Sequence, residues 1–243
     1  MKKIGLCLGG GGARGLSHIE IIKALDEMNI KPAVISGTSM GAVIGAFYAA
    51  GLSGKEIEQM LYDLGILKQT NVHKKSLAHR TFKEMIDEAV DELKDFYKKL
   101  EEIGKMIDVS YFNDSSIIKG AGVTKYLNRK LPVKTFEELK IPLKIVATDY
   151  WNASEVIFEK GELIPAIRAS LSIPAVFEPA KYNGKVLIDG GITNNLPFNI
   201  IRDLCDKVIA VDVSGERTIP VKPKLPNLFE NMMTLTKFCK TPL

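Results

Sequence analysis

The chain has 243 residues, 46% of them hydrophobic and 26% charged, enough to bury a sizeable core, and a single domain over 1–243 is the expected organisation. Lys and Arg outnumber Asp and Glu by 33 to 29, a mild excess that favours anionic surfaces, membranes included, without requiring a nucleic-acid partner. Three cysteines, Cys7, Cys205 and Cys239, form no C-x-x-C pair, which argues against a disulfide framework or zinc site and for a reducing, cytoplasmic compartment.

Met1-Lys2-Lys3 before Ile4 to Leu8 has the outline of a signal peptide, but the apolar run breaks at glycines and reaches Arg14. No stretch approaches the roughly 20 apolar residues of a spanning helix, so a soluble protein with at most peripheral membrane contact is expected. The first fifty residues read strand, glycine-rich turn, helix, strand, turn, helix. The helices run from about Gly15 to Met28 and Met40 to Ala50, and the pattern predicts a parallel sheet. Over 76–107, Phe82, Met85, Ile86, Ala89, Val90, Leu93, Phe96, Tyr97, Leu100 and Ile103 recur three or four apart among charges, predicting an amphipathic helical insertion with one break.

A short helix is expected from Gly120 to Arg129 and a strand from Leu143 to Thr148, ending at Asp149. Strands are expected at Glu155 to Glu159 and Lys185 to Ile188, a helix at Leu163 to Leu171, and a buried strand at Lys207 to Val213. Cys205 and Cys239 fall on expected helices. Pro220, Pro223 and Pro226 open a C-terminal extension over 220–243, with a last helix from about Asn227 to Phe238.

Chemistry enters with Gly37-Thr38-Ser39-Met40-Gly41, a G-x-S-x-G elbow in which flanking glycines relieve crowding at a tight strand-to-helix turn and leave the Ser39 hydroxyl exposed. A nucleophilic serine needs a base, and the familiar hydrolase order is serine, acid, histidine. The histidines here, His18, His73 and His79, all precede the best acid, Asp189, which ends the apolar run Val186-Leu187-Ile188 and is followed by two glycines, and a triad using His73 or His79 would need that segment to fold over Ser39. An aspartate of ordinary pKa near 3.9 is a weak base, so it must act through close positioning in a partly desolvated setting. Gly9-Gly10-Gly11-Gly12 opens a helix with backbone N–H groups able to approach an oxyanion, and Arg14 adds a positive charge suited first to supporting that loop.

These residues resemble the patatin-like phospholipase family. Gly10-Gly11-Gly12-Ala13-Arg14-Gly15 matches its glycine-rich motif, Gly37-Thr38-Ser39-Met40-Gly41 its nucleophile elbow and Asp189-Gly190-Gly191 its acid motif, while Ala169 to Pro179 is similar to the block ahead of the acid. The resemblance runs from Lys3 to about Val213. It implies a three-layer α/β/α domain with a largely parallel sheet and a lipid acyl hydrolase without a catalytic histidine. By the resemblance Ser39 is the nucleophile, Asp189 the base, and the amides of Gly10, Gly11 and Gly12 the oxyanion hole.

Blander readings stand beside each of these. Asp189 could simply cap a turn, and His18 could pack or hydrogen-bond locally on its helix. A nucleotide reading of the glycine loop expects an acid at the end of the second strand, where Ser36-Gly37-Thr38-Ser39 stands instead. The expectation is a hydrolase of lipid esters needing no metal or organic cofactor. Its rivals are an esterase or thioesterase acting on soluble acyl groups, and a non-catalytic lipid-binding or regulatory protein.

Overall fold

The computed structural model describes residues 2–63, 116–118 and 121–214. The expected insertion helix over 76–107 and the extension over 220–243 lie outside the described residues, as do His73, His79 and Cys239.

Strand β1 (Ile4–Leu8) runs into the glycine loop, a 3-10 turn over Gly12–Ser17 and helix α1 (His18–Glu27). Strand β2 (Val34–Thr38) passes into helix α2 (Met40–Ala49) through the single residue Ser39. Helix α1 buries Ile19, Ile22 and Leu25, one stripe three residues apart, whereas α2 buries every residue but Val43 and is a core helix. Helix α3 (Gly54–Asp63) is absent from the sequence expectation. Its start is a capping box: Ser53 Oγ accepts the Glu56 N–H at 3.3 Å and Glu56 Oε2 accepts the Ser53 N–H at 2.7 Å, so the S-x-x-E signature is its readable signal.

Strand β3 (Ser116–Ile118), helix α4 (Ala121–Lys130), strands β4 (Leu143–Asp149) and β5 (Ser154–Phe158) and helix α5 (Leu163–Ser170) follow. Strands β6 (Ala175–Phe177), β7 (Ala180–Tyr182), β8 (Lys185–Asp189) and β9 (Lys207–Val211) complete the described chain. The three-residue strands β3, β6 and β7 are too short for a period of two to register. Two expectations change. Cys205 sits in a bend after a 3-10 turn over Arg202–Leu204 rather than on a helix, and β9 is the outer strand among those described, with no fully buried residue.

The main sheet has the order β7-β8-β4-β2-β1-β9, with β5 also paired to β4. The run β4-β2-β1-β9 is parallel, as the β-α-β-α opening requires, while β5, β7 and β8 are antiparallel. Alternation along the strands gives the sheet two packed faces. Leu6, Leu8 and Ile35 join Ile22, Phe47, Ile57 and Ile167 of the helices, while Cys7 and Val34 on the other face pack with Ile201 under Leu196, Ile200 and Val208.

Strand β4 organises the site. Strand β5 pairs with it along Ile145 to Asp149, so β2 and β8 must share its opposite side. Strand β2 comes in parallel and stops with Thr38 beside Val146, while β8 comes from the other direction and stops with Asp189 beside Ala147. The two strand ends therefore meet head to head, on adjacent register rows of β4.

Candidate active site

Ser39 occupies the turn between β2 and α2 at φ 54° and ψ −122°, a left-handed conformation disfavoured for any residue with a Cβ. It is imposed by how closely α2 lies on the sheet. A methyl at Gly37 would stand 2.6 Å from the Gly41 carbonyl oxygen, and one at Gly41 only 2.1 Å from the Leu8 carbonyl oxygen. A side chain at either glycine would lift the helix off the sheet, at Gly37 from β2 and at Gly41 from β1. The strained turn is pinned from below, where the Ser39 N–H donates to Ser170 Oγ at 2.8 Å at the C-terminal end of α5. Ser39 and Ser170 are both buried.

The same stretch holds the acid. The Asp189 N–H donates to the Ser172 carbonyl at 2.8 Å, two residues on from the serine that fixes Ser39. Arg168 braces the stretch, donating from Nη1 to Ser172 Oγ and from Nη2 to the Glu178 carbonyl, both at 2.5 Å, with its guanidinium 5.8 Å from the Phe177 ring centroid. Asp189 Oδ1 accepts the Gly191 N–H at 2.6 Å, and Thr148 Oγ1 donates to the Asp189 carbonyl at 2.9 Å. Asp189 thus does cap a turn, and that contact fixes the carboxylate at the buried end of β8.

The glycine loop closes over both. A methyl at Gly10 would lie 3.3 Å from Ser39 Cβ and 2.6 Å from Asn195 Oδ1, while one at Gly191 would lie 2.8 Å from both Asn195 Oδ1 and Asp189 Oδ1. Asn195 is therefore wedged between the glycine loop and the acid turn. It is tied to the loop twice, its Nδ2 donating to the Gly10 carbonyl at 2.8 Å and its carbonyl accepting the Gly10 N–H at 2.9 Å. This corrects one expectation: the Gly10 amide is already spent on Asn195. The Gly11 and Gly12 amides donate to no carbonyl or side chain among the described residues and remain the loop's candidate donors. Arg14 is exposed and donates from Nη1 to the Ser214 carbonyl at 2.8 Å, fastening the loop to the segment after β9.

His18 holds the loop from the core side. It is fully buried, its Nε2 lies 2.8 Å from the Gly9 carbonyl oxygen, and a carbonyl can only accept, so Nε2 carries the proton. Among the described residues its Nδ1 has no hydrogen-bond partner. Burial holds its pKa below the ordinary value of 6.5, the Gly9 hydrogen bond opposing only in part. The local role expected for His18 is the one it has.

Ser39, Asp189 and the glycine loop are thus brought together, while Arg14 lies at the loop's outer end. Sequence reasoning does not find Ser170, Ser172, Arg168 or Asn195 in these roles. The first three lie in the Ala169 to Pro179 block or one residue before it. Asn195 follows the acid motif in Gly191-Ile192-Thr193-Asn194-Asn195, a polar stretch with no distinguishing period. Among the described residues there is no group of three or more His, Cys, Asp or Glu able to hold a metal ion.

A family model described as patatin-like phospholipase matches residues 6–201 of this chain. The chain is similar to an uncharacterised NTE family protein of Mycobacterium tuberculosis, with 31% identity over 227 residues, 93% of this chain and 53% of that protein. It is similar to the human patatin-like phospholipase domain-containing protein 6, with 31% identity over 216 residues, 88% of this chain and 13% of that one. Lysophospholipase NTE1 of Saccharomyces cerevisiae is 29% identical over 215 residues, 88% of this chain and 11% of that protein. The chain thus spans about half or less of the length of these curated relatives. Among solved structures, VipD from Legionella pneumophila matches 81% of this chain and 47% of its own with 17% identity and a TM-score of 0.45.

Proposed function

We propose that this chain, which belongs to the patatin-like phospholipase family, is a serine acyl hydrolase that cleaves lipid esters with Ser39 as nucleophile and Asp189 as base. The observation that carries the reading is the meeting of β2 and β8 on adjacent rows of β4, Thr38 at Val146 and Asp189 at Ala147. A hydroxyl and a carboxylate at two converging, buried strand ends are what a base of low intrinsic basicity needs, because proximity and partial desolvation replace pKa matching.

In this mechanism Ser39 Oγ attacks the ester carbonyl carbon and its proton passes to the Asp189 carboxylate. The carbonyl oxygen becomes an oxyanion and accepts from the Gly11 and Gly12 amides. Collapse breaks the bond to the alcohol, which leaves with the proton from Asp189, and water then attacks the acyl-Ser39 ester by the same route. Asn195 and His18 keep the glycine loop at its distance from Ser39 without touching the reacting atoms. The substrate class is supported by the family and by the yeast relative that bears the name lysophospholipase.

The test is hydrolysis of a short chromogenic ester and of phospholipid vesicles by the parent protein, Ser39→Ala and Asp189→Asn. Both variants are expected to fold and to lose about ten-thousandfold in turnover, the scale typical when a member of such a unit is removed. Retention of activity in either would overturn the dyad. Activity on soluble thioesters or esters alone would move the assignment to an esterase, and the absence of hydrolysis and of phosphonate labelling at Ser39 would move it to a binding protein.

A further inference from the structure

Among the described residues few large apolar side chains stay in water, and two of them are adjacent: Tyr150 is 51% exposed and Trp151 77%. They sit in the loop joining β4 to β5, which is tightly built. Asp149 pairs with Ser154 to close the hairpin, accepts from the Asn152 N–H at 3.3 Å and from Asn152 Nδ2 at 2.9 Å, and forms an ion pair with Lys185 Nζ at 3.3 Å. The Tyr150 N–H donates to the Val186 carbonyl at 2.9 Å, and the Tyr150 and Trp151 rings meet edge to face with centroids 4.9 Å apart. This loop holds two aromatic rings largely in solvent, Trp151 the more exposed of the two.

Its position ties it to the site. Strand β4 runs parallel to β2 with Val146 beside Thr38, so Asp149 lies three residues, about 10 Å, beyond the level of Thr38, the residue before Ser39. The rings stand further out at that same end of the sheet. Two exposed lysines flank them: Lys185 on β8, paired with Asp149, and Lys181 on β7 opposite Val186, about two strand spacings, or roughly 10 Å, from β4.

We infer that the β4–β5 hairpin tip is the point at which this chain docks on an anionic phospholipid surface, with Trp151 and Tyr150 at headgroup depth and Lys181 and Lys185 against lipid phosphates. The inference rests on the hydrolase reading above, which supplies the reason for lipid contact. Tyr and Trp combine an apolar body with a polar tip and concentrate at membrane interfaces. A lysine near an anionic leaflet strengthens binding roughly fivefold. Charge complementarity selects an anionic lipid surface over a neutral one. Among the described residues no helix is long and apolar enough to cross a membrane.

Trp151 is the chain's one tryptophan, so its fluorescence reports the tip directly and independently of catalysis. The parent protein is titrated with vesicles of phosphatidylcholine alone and of phosphatidylcholine mixed with phosphatidylglycerol. Trp151→Ala and Lys181→Gln are compared by vesicle sedimentation and by hydrolysis of a short soluble ester. The expected results are a blue shift with the anionic vesicles only, roughly tenfold weaker sedimentation for Trp151→Ala and fivefold for Lys181→Gln, and soluble-ester turnover within about twofold of the parent. No shift in a protein that hydrolyses the soluble ester overturns the docking surface and leaves the hydrolase standing. A shift without hydrolysis by the parent overturns the hydrolase and leaves the surface. An equal shift with neutral vesicles, a shift that grows with protein concentration alone, or loss of ester turnover in Trp151→Ala each overturns the proposed anionic docking.

Discussion

Ser39 is held at φ 54°, a conformation that costs on the order of 1–3 kcal/mol and persists only where its surroundings impose it. Here they are the Ser170 hydroxyl beneath its amide and the helix above it. His18 does the equivalent for the glycine loop, and its burial gives a pH signature. Its folded pKa lies below 6.5, so as pH falls the unfolded chain takes up this proton before the folded one does. The contribution of His18 to stability is therefore full above about pH 6.5 and is lost as pH falls from there toward the folded pKa, by up to about 1.4 kcal/mol per pH unit. Thermal melts between pH 7 and 5 are expected to show this loss in the parent and to flatten in His18→Gln, which keeps an N–H donor but does not titrate. Equal slopes in the two proteins would contradict the assignment.

Between residues and fold stands the element whose packing makes the elbow, α2. Its glycines are contact surface: Gly41 faces the Leu8 carbonyl so closely that Gly41→Ala must displace the helix. Overpacking of this kind costs about 1–3 kcal/mol, and because the N-terminus of α2 is the elbow the displacement moves Ser39 as well. The expected outcome is a lower melting temperature together with a fall in turnover of the soluble ester, read by calorimetry and kinetics. Gly184→Ala, at an open turn with positive φ remote from α2, is expected to cost stability through backbone strain and leave turnover unchanged. The stretch from Arg168 to Ser172 is the second decisive element, since one of its serines holds the amide of Ser39 and the carbonyl of another holds the amide of Asp189.

The molecule as a whole is a parallel sheet whose central strands are covered on both faces, met at β4 by an antiparallel set. Opening β2 requires separating it from both β1 and β4, while β9 and β7 each lean on one neighbour among the described strands. Hydrogen exchange is therefore expected to be slowest in β1 and β2 and faster, by roughly tenfold or more, in β9 and β7. Uniform protection across the sheet would show that the edges open only with global unfolding.

The β-α-β-α opening, α1, α2, α5 and the strands β4, β5, β8 and β9 were all legible in the chain, because hydrophobic period and glycine placement are local properties. Ser39, Asp189 and the glycine loop were legible for the same reason, as short motifs at strand ends. Helix α3 carried readable signals as well, the cap at Ser53 and Glu56 and the buried stripe of Ile57, Met60 and Leu61. Strands β3, β6 and β7 carried too few residues for any period. Antiparallel pairing of β8, commitment of the Gly10 amide to Asn195, and the role of Ser170 depend on partners 131 to 185 residues apart or on register along β4. Those contacts exist only once the sheet has closed, since side-chain pattern dictates which face of a strand is buried but leaves open which strand lies beside it and in which direction.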